Sequence, residues 1–154
     1  MKKSILAALA VVFMLLAAPA GAEEKALDAA SIDRKIITLL EDTDTLERHS
    51  DTAMAMVAIH AAAAQRATDY PTWEKAMWEV VAWMNALNSA AVLTSTTREF
   101  LAVHVRIYSD IGGEMSPEAA AVRDNFLTMV DEFGRGYNDA AAIFKIAAAA
   151  KPAK

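Results

Sequence analysis

The side chains in this sequence that can do chemistry are few: three histidines, one acidic cluster, three tryptophans and no cysteine. Without a thiol there is no disulfide, no thiolate metal centre, no lipid-modified cysteine and no covalently attached haem of the Cys-x-x-Cys-His kind. His49 falls in a polar stretch. His60 stands in an uncharged run, four residues after Met56, and His104 shares an apolar helical face with Phe100, Ile107 and Ile111. A neutral imidazole on such a face can ligate haem b or a divalent metal. It can equally sit as a core residue with its ring nitrogen satisfied by nearby backbone.

The acidic cluster is Glu41, Asp42, Asp44, Glu47 and Asp51. Asp44, Glu47 and Asp51 are three and four residues apart, which puts them on one stripe of a helix. Hard oxygen donors on one stripe can hold a divalent cation, although Arg48 among them also fits an ordinary solvated face. Trp73, Trp78 and Trp83 are each five residues apart, so each points about 140° away from the last. Trp73 joins the apolar face and Trp83 flanks it. Trp78 projects to the far side with Lys75 and Asn85, either covered by a neighbouring helix or exposed as an anchor for a protein partner. No Gly-rich phosphate loop, His-Glu-x-x-His pair or nucleophile elbow occurs. No set of residues in complementary catalytic roles is present, and the expectation is a protein without enzymatic activity.

Helices must position these groups. Beyond residue 22 the chain is poor in breakers, with Gly112, Gly113, Gly134, Gly136, Pro71, Pro117 and Pro152, and it is rich in alanine, leucine, methionine and glutamate. Pro71 after Asp69-Tyr70 opens a helix. Gly112-Gly113 ends one, and Ser116-Pro117-Glu118 starts the next. At about 100° per residue, Ile32, Ile36, Leu39, Leu46, Val57, Ala61 and Ala64 keep one phase. One helix is therefore expected over 31–69, with a possible kink at His49-Ser50-Asp51. Val122 through Phe144 keep another phase, so the last helix runs through its two glycines, each costing about 1 kcal/mol relative to alanine.

The middle of the chain shows an apparent reversal of phase. Trp73, Met77, Val80, Met84, Leu87 and Ala91 share a face, while Phe100, His104, Ile107 and Ile111 lie about 180° away on a straight helix. A break near Thr94-Ser95-Thr96, capped by the box Thr96-Thr97-Arg98-Glu99, removes the conflict. The expected fold is all-α, an up-and-down four-helix bundle with helices near 31–69, 72–93, 96–111 and 117–149. Three long helices are the alternative. Under the four-helix reading His60 and His104 are equidistant from their turns, and level with Ala82 and Asn85 on the second helix. Met84 in that layer would complete a haem or metal site in the bundle core.

Two segments, Thr52–Gln65 and Val80–Leu93, carry no charge. Helices apolar all round are buried on several sides, by packing within the chain or by self-association. The address is read from the start of the chain. Lys2-Lys3, an apolar run from Ile5 to Ala18, and Ala20-Gly21-Ala22 form the three parts of a cleavable signal peptide of bacterial type. Removing residues 1–22 leaves 132 residues, one domain over 23–150 with a disordered tail at 151–154, destined for the periplasm or the outside. That product carries 13 basic and 20 acidic side chains, net −7 with histidine neutral. Such a balance offers no basic patch for nucleic acid or an anionic membrane. The expected function is an exported binding or interaction protein, with a haem or metal carrier as the alternative.

Overall fold

The computed structural model describes residues 28–153, and the signal sequence read at 1–22 lies outside them. All secondary structure among the described residues is helical. Helix α1 spans Ala29–Leu40, α2 Thr43–Arg66, α3 Tyr70–Ile111 and α4 Pro117–Ala149. The α1 and α2 segments join through Glu41-Asp42 into one bent rod. Long α3 runs back along it, and α4 returns beside α2. The two ends are pinned by contacts between rods. At one end Tyr108 of α3 meets Asp33 of α1. At the other, the Trp73 indole N–H donates to the Ala147 carbonyl at 3.0 Å. Among the described residues no helix is long and apolar enough to cross a membrane.

Caps set the helix ends as their residue types dictate. Asp28 accepts from the Ser31 amide at 2.7 Å, Asp69 from Thr72 at 2.9 Å, and Ser116 from Ala119 at 3.2 Å. The Asp69 carboxyl is held below its ordinary range by the Thr72 backbone amide and then the Thr72 hydroxyl. Gly112 closes α3 with φ of 65°, the left-handed conformation that glycine adopts without a Cβ penalty.

Two expected boundaries are corrected. The first rod breaks at Glu41-Asp42 and not at His49-Ser50-Asp51. The run Asp42-Thr43-Asp44-Thr45 consists of weak helix formers, and the Thr43 hydroxyl takes the Leu40 carbonyl at 2.7 Å. Ser50 is buried, its hydroxyl spent on the Leu46 carbonyl at 2.8 Å, so that stretch stays helical. The second correction is larger. No break exists near Thr94-Ser95-Thr96, because α3 is continuous over 42 residues. Thr94 is buried and donates to the Ala90 carbonyl at 2.8 Å, and Thr96 to Val92 at 2.9 Å. Both hydroxyls serve carbonyls inside the helix rather than capping a new one.

The core explains why the helix continues. Val80, Leu87, Thr94, Leu101 and Tyr108 are all buried and recur every seven residues. Ala119, Phe126, Phe133, Ala140 and Ala147 do the same on α4. On the first rod Ile36, Ser50, Val57 and Ala64 keep the same repeat across the bend, with half-buried Thr43 between. A seven-residue repeat drifts about 20° per heptad on a straight helix, and a left-handed supercoil absorbs the drift. The apparent reversal arose from reading the face through Phe100, Ile107 and Ile111. These are half-buried or exposed, whereas Leu101, His104 and Tyr108 carry the seam.

Candidate functional site

The continuous α3 separates the residues expected to hold a cofactor. His60 lies six residues before the end of α2, about 9 Å from the turn at 67–69, while His104 lies 34 residues along α3, about 51 Å from it. The two imidazoles are thus some 40 Å apart along the bundle, with Met84 between them and close to neither. A haem or single metal cannot span that distance, and the site proposed at His60, His104 and Met84 is not assembled. Each residue has a local explanation. His104 is buried, its Nδ1 bonds the Phe100 carbonyl at 2.8 Å, and its ring lies 4.2 Å from the Phe100 ring. Met84 packs against the core, and His60 is half-buried on α2.

The acidic stripe is corrected too. Asp44, Glu47 and Asp51 are all exposed, and no group of three carboxylates or imidazoles among the described residues is gathered closely enough to hold a metal ion. Helix spacing alone aligns the three. Glu47 and Asp51 line a cleft between α2 and α4 together with Glu132, Met54, Met129 and Phe133. Its volume is about 170 Å³, below the roughly 300–1,000 Å³ usual for sites that enclose a small molecule. Gly136 belongs to its wall because a Cβ there would collide with the Met54 sulfur.

A second cluster escaped the sequence reading entirely. The Tyr108 hydroxyl donates to the Asp33 carboxylate, whose Oδ1 also accepts the Ser116 amide at 3.3 Å. Burial alone would raise the Asp33 carboxyl, but the bonds from Tyr108 and Ser116 together hold it below its usual range. Burial and then the Asp33 carboxylate push the Tyr108 phenol well up. This clip joins three parts of the chain at one end of the bundle. At the opposite end the Lys151 ammonium lies 5.1 Å from the Tyr70 ring centre and 5.6 Å from that of Trp73. Both clusters tie elements of the bundle together. They were illegible because their members are 75 to 83 residues apart at one end, and only the return of the chain brings them into register.

The remaining candidate is a surface. Trp78 is 69% exposed, so no neighbouring helix covers it. It heads a stripe on α3 opposite the core seam: Ala82, Asn85, Ser89, Val92, Thr96, Glu99 and Val103 follow at alternating spacings of four and three, all exposed. Val92 is 68% and Val103 56% exposed. From Val80 to Thr97 the helix has no charged residue. The uncharged segment of α3 thus has a buried face and a bare one, and packing within the chain accounts only for the first. No protein-family model, curated protein or solved structure matches this chain.

Proposed function

We propose that this chain is an exported, non-enzymatic interaction protein, an up-down-up bundle of three rods that docks a protein partner on the outer face of α3. The observation that carries this reading is the exposed tryptophan at the head of a stripe that is uncharged from Trp78 to Thr96. Aromatic anchors such as Trp78 supply much of the energy at protein interfaces, whereas a surface helix that serves only solubility is ordinarily charged on its outer face. Export rests on the signal-like start, and the acidic balance supports a partner other than nucleic acid.

The carrier reading draws no support from the spacing of the histidines. Incorporation of a photo-crosslinking residue in place of Ala82, in producing cells, tests the interaction reading. A discrete adduct that disappears with Trp78→Ala is expected. Absence of any adduct from position 82, or a stoichiometric metal or Soret band in the purified protein, overturns it.

A further inference from the structure

We infer that the partner on the outer face of α3 is a second copy of this chain, bound antiparallel about a two-fold axis beside residue 87. The inference rests on the reading of that face as a docking surface and adds the identity of the occupant. Its basis is the pattern of side chains along the stripe, which pairs opposite charges at both ends when the axis lies beside residue 87.

In an antiparallel pair of helices, each side chain meets one whose number, added to its own, gives a constant total. The exposed stripe has two alternating rows, and a two-fold pairing sets one row against the other. With the axis beside residue 87, Asn85 faces Ser89 of the second copy, Ala82 faces Val92, and Trp78 faces Thr96. Large groups meet small ones: the indole of Trp78 has a threonine opposite, and Val92 an alanine. The central amide and hydroxyl can hydrogen-bond across the axis.

Opposite charges favour this register. Lys75, one step before Trp78, and Glu99, one step after Thr96, are the charged residues that bracket the uncharged part of this line, and both are exposed. The register brings Lys75 of one copy opposite Glu99 of the other, twice over by symmetry. Sliding the pair by one heptad one way leaves Lys75 facing the uncharged Val92 and loses both Lys75–Glu99 pairs; sliding it the other way sets Lys75 against the exposed Arg106. A parallel pair in register sets Lys75 on Lys75 and Glu99 on Glu99. Like charges in direct opposition disfavour the last two arrangements.

The absence of cysteine makes the test clean. Ala82→Cys and Val92→Cys variants of the full chain are purified, mixed and oxidised. The two variants should form a disulfide-linked heterodimer. Neither should link efficiently to itself, because residues 82 lie about 15 Å apart along the paired helices, as do residues 92. Sedimentation equilibrium of the unmodified protein should give twice the chain mass. Glu99→Lys should weaken dimerisation at least tenfold, and adding Lys75→Glu to it should restore the dimer, with helix content unchanged in both.

A monomer at all accessible concentrations, or equal self-linking by Ala82→Cys alone, overturns the antiparallel dimer. The adduct from position 82 in cells separates the two levels of the argument. An adduct of two chain masses supports the second copy. A discrete adduct of any other mass refutes self-pairing yet leaves the face a docking surface. No adduct removes the docking surface itself.

Discussion

Thr96 and Thr97 give a test in which a local capping signal and the seven-residue seam predict opposite signs. Were Thr96 the cap of a separate helix, Thr96→Ala would cost about 1 kcal/mol. In the continuous α3 it is an exposed mid-helix residue whose hydroxyl bonds the Val92 carbonyl at 2.9 Å. That carbonyl keeps its ordinary helical partner when the hydroxyl is removed, so nothing is orphaned. Alanine then recovers the propensity difference, and the variant should be more stable by about 0.5 kcal/mol. Thr97→Pro separates the cases more widely. Directly behind a cap it would occupy the first helical position, where proline is welcome. Within α3 it deletes an amide bond and clashes with the Leu93 carbonyl, at a cost of about 3 kcal/mol or more. Thr97→Ala controls for loss of the half-buried side chain. Urea unfolding followed by far-ultraviolet circular dichroism reads all three, with the slope of the transition checked for constancy. A destabilised Thr96→Ala together with a tolerated Thr97→Pro would refute the continuous helix and the seam that explains it.

Other expectations follow from single sites. Gly134→Ala meets open space and should stabilise α4 by about 1 kcal/mol, whereas Gly136→Ala must displace Met54 and should gain less or lose stability; thermal melts of the pair compare them. Phe126, 1% exposed, should cost about 3–5 kcal/mol on truncation to alanine, measured by the same urea titration. His104→Leu should change stability by less than about 1.5 kcal/mol, since the Phe100 carbonyl retains its helical bond; loss of folding by circular dichroism would assign the imidazole a further partner. The Asp33 clip should be acid-sensitive. Its folded carboxyl is lowered, so its contribution is present above the unfolded value near about 3.9 and lost as pH falls through the lower folded value. The stability gap between wild type and Asp33→Asn should therefore close in strong acid, and a gap that persists there would dissociate the clip from ionisation.

The turns were legible because their causes are local. Asp69-Tyr70-Pro71, Gly112-Gly113 and Ser116-Pro117 form caps from neighbouring atoms, and the structure places helix ends at all three. The all-α class followed from composition, and the direction of Trp78 away from the core face from its angle on one helix, while only the packing of the rods left it uncovered. What the sequence left open depended on distant parts of the chain. The Thr96–Glu99 pattern is a sound cap in isolation, but ending the helix there would strip Leu101, His104 and Tyr108 from the seam. Burial of that seam outweighs a cap of about 1 kcal/mol. Phase counted at 100° per residue hid the continuity, because the repeat belongs to a supercoil that exists only when rods wrap one another. The same error paired His60 with His104, whose separation is set by the length of α3. Asp33, Tyr108 and Ser116 carry no motif, and the tertiary return of three segments makes them a clip. Local stereochemistry thus settled where helices begin and end at strong breakers, and packing decided which of the weaker signals the chain obeys.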